Sequence, residues 1–392
     1  MEVRLPESVK YIIERLRSAG YRADAVGGAV RDLFLGRDCD DYDVTTVALP
    51  EEVKCVFEGE RIIETGIKHG TVTLLLDGVG YEITTYRVDG EYLDSRHPET
   101  VSFTADLKED LRRRDFTMNA ICYNHFDGFF DPFGGVEDIE RGIIRAVGEP
   151  AKRFSEDALR IMRAVRFSSV LGFAVEEQTD RALRELAPTV STVSRERIYT
   201  EWLKLLGGKD VLRVLADYRD VLCEAIPELK HSAVPPFFTE LCDSARFPAL
   251  FAHLGGGGGE IFSRACHYLK TDRETEQRGA SALALLDTEL DSLRALRHAV
   301  KERGLSAVVL AVELLFALGR EGNTPAYLTR ILDEHLPCTV KELAIGGKEL
   351  MALGLSGRAV GDCLDRLISA VIDGTVENER DALLSYVSGI GR

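Results

Sequence analysis

The chain changes its hydrophobic period once, and that change restricts the architectures open to it. Up to about residue 145, runs in which apolar and polar residues alternate stand between helical stretches; beyond about Pro150, apolar residues recur almost throughout at helical spacing. Residues 23–26, 42–45, 71–76, 81–86 and 120–124 read as strands, and Asp77-Gly78-Val79-Gly80 turns a hairpin between two of them. Residues 8–19 read as an amphipathic helix with Val9, Ile12, Ile13 and Leu16 on one face, stopping at Gly20. Further helices are expected over 155–172, 177–186, 194–206, 209–226, 235–244, 260–269, 275–286, 289–302, 305–318 and 325–335. The expected fold class is therefore α+β: a mixed, antiparallel-rich sheet with flanking helices, then an all-α remainder.

The first part carries the chemistry. Val26-Gly27-Gly28-Ala29-Val30-Arg31-Asp32 is followed by Asp41-Tyr42-Asp43. Glycines without a Cβ let the backbone approach a phosphate, and Arg31 can fork onto phosphate oxygens. On a strand, residues i and i+2 share a face, so Asp41 and Asp43 can offer hard oxygen ligands to one or two Mg²⁺ ions that also grip a triphosphate. Taken singly, Gly-Gly reads as a turn and Asp-x-Asp as a solvated Asx-turn. Their combination with Gly36-Arg37 and Thr46 points to nucleotidyl transfer.

Those residues, with Leu35 and Val44-Thr45, resemble the first motif of the class II tRNA nucleotidyltransferases, the CCA-adding enzymes, whose relatives include bacterial poly(A) polymerases. Arg112-Arg113-Arg114-Asp115-Phe116-Thr117-Met118-Asn119-Ala120-Ile121 resembles the second motif and Asp131-Pro132-Phe133-Gly134-Gly135 the third. Glu156-Asp157-Ala158-Leu159-Arg160, continuing through Arg163, Arg166 and Leu171-Gly172-Phe173, resembles the fourth, and Ser194-Arg195-Glu196-Arg197-Ile198 the fifth. The resemblance implies a catalytic nucleotidyltransferase head over 1–145, a neck over 146–206, and a tRNA-binding body and tail over 207–335 and 336–392. It also implies CTP, ATP and tRNA as partners, with pyrophosphate released. An A-only tRNA enzyme or a poly(A) polymerase is the alternative within the family, and a non-catalytic RNA-binding adaptor the alternative outside it.

Residue roles follow from motif positions. Glu82 alternates with apolar Tyr81 and Ile83, so it faces the opposite side of its strand, where a third carboxylate could support the metals of Asp41 and Asp43; it could equally be a polar residue on a solvated face. Gly28, Arg31 and Arg114 are expected to hold the triphosphate. The loop over 92–101 matches one that the family needs for adding the terminal A, although its residue types alone suit any surface loop. On a helix, residues three apart step about 60° around the axis, so Asp157, Arg160 and Arg163 would form one row, with Arg166 drifting off its edge. A carboxylate beside guanidinium donors complements the amino group and ring nitrogen that adenine and cytosine share, and rejects uracil and guanine. In the family this helix is an amino-acid template, with the aspartate and first arginine, here Asp157 and Arg160, pairing to the incoming base; Arg163 and Arg166 are expected to contact phosphate or hold the helix in register. The plainer reading is a helix face closed by a Glu156–Arg160 pair at i,i+4.

Composition narrows the surroundings. The opening Met-Glu-Val-Arg has no apolar leader pattern, and no apolar run approaches the roughly 18 residues that span a bilayer, so a cytosolic chain without a membrane partner is expected. Eight scattered cysteines with no Cys-x-x-Cys pair read as reduced, mostly buried thiols. Net charge is −16, yet residues 141–206 hold twelve Lys+Arg against nine Asp+Glu, suggesting a basic stripe for RNA on an acidic body. The absence of a His-Asp dipeptide speaks against the phosphohydrolase domain of some relatives. The run Gly255–Gly259 reads as a flexible linker, Cys266, His267 and His253 as ordinary helix residues, and Trp202 as core.

Overall fold

Period-two burial assembles the head. The computed structural model describes residues 4–39, 41–90 and 101–390, so the loop expected over 92–101 lies, except for Val101, outside the described residues. The strands are β1 (Ala23–Val26), β2 (Asp43–Thr46), β3 (Arg61–Ile63), β4 (Thr71–Leu76), β5 (Val79–Thr85), β6 (Arg87–Asp89), β7 (Val101–Phe103), β8 (Cys122–Asn124) and β9 (Gly128–Phe130), with a short parallel pair, β10 (Ile143–Ile144) and β11 (Ala174–Val175), further along. Seven of them form one sheet in the order β3-β4-β5-β2-β1-β8-β9, and β6 pairs with β7 separately. Within the large sheet β2 and β5 run parallel, and every other neighbouring pair runs antiparallel. Asp77 and Gly78 both take positive φ, 52° and 83°, which closes a two-residue turn and starts β5 at Val79, two residues before the expected strand.

Helices flank this sheet. They are α1 (Glu7–Ser18), α2 (Gly28–Phe34), α3 (Pro50–Val56), α4 (Leu107–Arg112) and α5 (Gly135–Arg141). Val9, Ile12, Ile13 and Leu16 of α1 are fully buried, as their spacing requires. The segment after the three arginines is not the strand its apolar residues suggested. Thr117–Asn119 forms a 3₁₀ turn, with Thr117 Oγ1 donating to Asp138 Oδ2 at 2.6 Å and Asn119 Nδ2 to Asp115 Oδ1 at 3.0 Å. These side-chain bonds replace a ladder, and the strand begins only at Cys122.

The helical part divides differently from its sequence pattern. One compact unit ends at Ala225 and the second begins at Ile226, so head and neck fold in one unit. The expected helix over 155–172 is two helices, α6 (Pro150–Glu156) and α7 (Leu159–Leu171), and that over 209–226 is α10 (Val211–Asp217) and α11 (Arg219–Ala225). Between them, α8 (Glu177–Leu186) and α9 (Arg195–Leu206) lie within a residue of expectation. Trp202 is fully buried.

The second unit holds α12 (Asp243–Ala249), α13 (Gly257–Leu269), α14 (Arg273–Ala284), α15 (Leu293–Arg303), α16 (Leu305–Ala317), α17 (Thr324–Asp333), α18 (Gly347–Ala352), α19 (Arg358–Ile372) and α20 (Arg380–Ile390). Residues 235–244, expected as a helix, supply a 3₁₀ turn at Phe238–Glu240 and the start of α12. The glycine run is not a linker. Gly257–Gly259 forms the first turn of α13, and a Cβ on Gly258 would stand 2.4 Å from the Phe251 carbonyl oxygen, so the absent side chain permits close packing. Ile345, Leu350, Leu367, Val371 and Leu383 form a small core of their own in the last helices. All eight cysteines are free, but only Cys122, Cys266 and Cys338 are buried; the expectation that most would be is not met. Among the described residues no helix is long and apolar enough to cross a membrane.

Candidate active site

Parallel pairing of β2 and β5 sets Asp43 opposite Glu82, and register partners share a face of the sheet. Tyr81 and Ile83 are buried on the other face while Glu82 is exposed. Asp41, just ahead of β2, is also exposed. Burial pushes the Asp43 carboxyl up to about 6; nearby Arg114 opposes the rise, and Glu82 and Asp41 add to it. Glu82 and Asp41 thus both act electrostatically on Asp43. Among the described residues, however, no three acidic, imidazole or thiol groups stand close enough to make a ready-formed metal cage. Hard oxygens whose negative charges are short of compensation fit a divalent cation.

Next to the acids lies an anion seat. Gly27 (φ 79°) leads into α2, and a Cβ there would come within 2.9 Å of Arg114 Nη1, so only glycine leaves this guanidinium its place. Arg114 Nε is buried without a hydrogen-bond partner, and burial lowers the arginine's pKa. A buried donor left open in this way is matched by a phosphate oxygen. Gly28 opens α2 beside Arg31, whose Nη2 lies 3.6 Å from the position of its missing Cβ. Arg31 is 7% exposed, and its fork holds Asp32, with Nε–Oδ1 at 3.0 Å and Nη2–Oδ2 at 2.8 Å, while Nη1 donates to Asn119 Oδ1 at 2.7 Å. The fork assigned to phosphate from sequence is thus closed on a neighbouring carboxylate.

The fourth motif departs from the single helical row. Asp157 is extended (φ −145°, ψ 103°) in the break between α6 and α7, so it cannot stack with Arg160 and Arg163 on one helix face. Two interactions account for the break. Asp157 Oδ1 accepts from the Leu159 N–H at 3.0 Å, as a helix cap does, and Arg197 of α9 donates to Oδ2 at 2.8 Å. Arg160 is 8% exposed, and its Nη1 donates to Glu156 Oε2 at 2.8 Å and to the Arg153 carbonyl at 2.9 Å, its Nη2 to the Arg113 carbonyl at 3.0 Å. The Glu156–Arg160 pair of the plainer reading is therefore formed. Arg163 donates to Asp115 Oδ2 at 2.8 Å and Arg166 to Glu201 Oε2 at 2.8 Å, which ties α7 to the head and to α9.

The neck is not an open basic stripe. Over residues 141–206 nine arginines form ion pairs: Arg141, Arg145, Arg153, Arg160, Arg163, Arg166, Arg181, Arg184 and Arg197. Their partners include Asp115 and Asp138, which a charge count over 141–206 alone omits.

Several residues that matter here drew no role from sequence. Asp115 accepts from Arg163, Asn119 and the Phe116 N–H; burial opposes its charge, yet Arg163 and Asn119 hold it well below the usual carboxylate range. Phe167, packed edge-on against Phe116, carries Arg31, Arg163 and Arg166 over its ring at 4.9, 5.4 and 3.5 Å. The only signal for Asp115 and Asn119 was their place inside the second motif, and Phe167 carried none.

Known proteins resemble this chain along most of its length. Residues 23–145 match the poly(A) polymerase head domain, 172–231 the "Probable RNA and SrmB- binding site of polymerase A", and 244–387 tRNA nucleotidyltransferase domain 2. The CCA-adding enzyme of Geobacillus stearothermophilus is 40% identical over 390 residues, 96% of this chain and 95% of that one. That of Leuconostoc mesenteroides is 38% identical over 387 residues, covering 96% and 94%. The crystal structure of the Bacillus stearothermophilus CCA-adding enzyme in complex with CTP shares a TM-score of 0.77 at 35% identity, covering 97% of this chain and 96% of that chain. A shared fold and sequence agreement along nearly the whole length place this chain in the family of the CCA-adding enzymes, tRNA nucleotidyltransferases with a poly(A) polymerase head domain.

Proposed function

We propose that the protein adds C, C and A to the 3′ end of tRNA without a nucleic-acid template, taking CTP and ATP and releasing pyrophosphate. The observation that carries this reading is the open guanidinium of Arg114 against Gly27, beside the raised carboxyl of Asp43. An anion seat and an acidic cation seat then adjoin, as a metal-bound triphosphate requires. Asp41 and Asp43, supported by Glu82, would hold Mg²⁺. Bound there, the ion supplies a Lewis acid that favours ionisation of the attacking hydroxyl and steadies charge on phosphate oxygens.

The chain's own groups do the rest. Gly28, Arg31 and Arg114 hold the triphosphate so that the tRNA 3′-hydroxyl attacks the α-phosphorus in line. Arg31 exchanges Asp32 for a phosphate oxygen. Base choice falls to Asp157 and Arg160 across the α6–α7 break. Arg160 keeps Nε–H and one Nη2 hydrogen beyond its three hydrogen bonds above, and Asp157 keeps lone pairs beyond Leu159 and Arg197. Arg163 and Arg166 hold α7 in register.

Single-nucleotide incorporation tests the assignment. tRNA lacking the whole CCA should gain two C and then one A when given CTP and ATP. Addition of A alone to tRNA ending in CC would make this an A-adding enzyme, and extension of an oligo(A) primer a poly(A) polymerase. No incorporation on any of these would sink the reading.

A further inference from the structure

Residues 113–119 bracket the two ends of the site. The Arg113 carbonyl accepts from Arg160 at 3.0 Å and Arg114 sits over Gly27. Asp115 takes Arg163 Nη2 at 2.7 Å, and Asn119 takes Arg31 Nη1 at 2.7 Å. Asn119 also donates Nδ2 to Asp115 Oδ1 at 3.0 Å, which completes a continuous chain Arg31–Asn119–Asp115–Arg163. Both middle members are buried, at 5% and 9% exposure, so water does not compete for these bonds.

The chemistry of the chain fixes the side chain at residue 119. An arginine can only donate, and the ionised Asp115 can only accept, so the group between them must accept on one side and donate on the other. An amide of this length does both. A carboxylate would keep Arg31 but set an acceptor against Asp115. Phe167 carries Arg31 and Arg163 over the same ring, so the two guanidiniums share an apolar wall as well as a polar relay.

We propose that Asn119 is a positioning residue for nucleotide choice. It locks the phosphate-side Arg31 to the base-side helix α7 through Asp115, so triphosphate seating and base recognition depend on one another. The inference rests on the roles given above to Arg31 and to the Asp157–Arg160 end of α7.

The test uses the full-length protein and tRNA lacking CCA, with kcat and KM measured separately for CTP and UTP. Asn119→Asp keeps the Arg31 arm and breaks the Asp115 arm. It should raise the UTP:CTP ratio of kcat/KM about tenfold, the low-end factor for a hydrogen bond to a charged group, with a smaller change in KM for CTP. Asn119→Ser loses both arms without adding charge, and should raise the ratio similarly while also raising KM for CTP. Asn119→Asp combined with Arg163→Gln should alter the ratio no further than either change alone, because both interrupt one chain. An unchanged ratio in both Asn119 variants, multiplicative effects in the double variant, or loss of folding in both Asn119 variants on thermal unfolding would each overturn the proposal. A wild-type protein that adds neither C nor A would instead overturn the function on which it rests.

Discussion

Asp43 faces two opposed demands, because the fold buries its carboxyl among other acids while the cation-holding role proposed for it needs the carboxyl ionised. Its pKa is raised from 3.8 to about 6, so its contribution to stability is whole below 3.8 and is lost as pH rises through about 6, where the folded chain must carry an uncompensated charge. The full difference is on the order of 3 kcal/mol. Thermal unfolding without metal should therefore show this contribution fading between about pH 4 and pH 6, and Mg²⁺ should restore more stability above that range than below it. Asn in place of Asp43 should flatten the pH dependence, remove the Mg²⁺ effect, and lower nucleotide addition by on the order of 10³ or more. Equal Mg²⁺ stabilisation of wild type and Asp43→Asn would refute the cation assignment. Arg114 makes a contrasting case, since the role proposed for it is on the triphosphate and not the base. Arg114→Lys should raise KM for CTP and for ATP alike, by about tenfold, because an ammonium cannot reproduce the planar fork. A loss confined to one nucleotide would assign Arg114 to base recognition instead.

The break between α6 and α7 gives an element-scale prediction. Asp157→Asn keeps the Leu159 cap but weakens the Arg197 pair, so it should cost under about 1 kcal/mol while blurring discrimination against UTP and GTP. Asp157→Ala removes both and should cost more on denaturant unfolding, with the same loss of selectivity and Mg²⁺ binding intact. Unchanged selectivity in either variant would dismiss Asp157 as a base reader. The glycine run offers a second test. Gly258→Ala meets the Phe251 carbonyl and should destabilise by about 1–3 kcal/mol, while Gly257→Ala, with nothing within 4 Å, should be neutral or stabilise by up to about 1 kcal/mol. These two elements also mark the limit of what could be read from sequence. β4 was legible residue for residue because alternating burial is written locally, β1 because a short, mostly apolar run bounded by glycines marks a fully buried strand, and the facing of Glu82 followed from Tyr81 and Ile83. The helix break was not legible, because Arg197, which holds Asp157 out of the helix, lies 40 residues away. Gly258 was misread for the same reason: its meaning is the approach of a carbonyl from another element. Arg31 was assigned to phosphate because nothing in a motif shows that its neighbour Asp32 fills the fork.

At the scale of the whole molecule the open question is how a chain of net charge −16 meets a polyanion. A stripe of twelve cations over residues 141–206 would have supplied the answer, but with nine of its arginines already paired, few cations there remain to replace counterions on RNA. Within the segment that matches the RNA-binding model, Lys204 and Lys209 are exposed, and neither forms an ion pair among the described residues. Both flank the end of α9, the helix whose Arg197 and Glu201 hold Asp157 and Arg166, so phosphates bound there would lie on the element that braces the proposed base site. If these lysines contact tRNA phosphates, Lys204→Ala/Lys209→Ala should reduce the slope of log Kd against log salt by about two in fluorescence anisotropy, with kcat for a bound primer little altered. Arg181→Ala, which removes a cation already paired with Glu177, should shift the slope by well under one. Coincident slopes for the double-lysine variant and wild type would move the phosphate contacts off this segment, whereas a steep wild-type slope lost on Arg181→Ala would mean that the neck's surface ion pairs open to bind RNA.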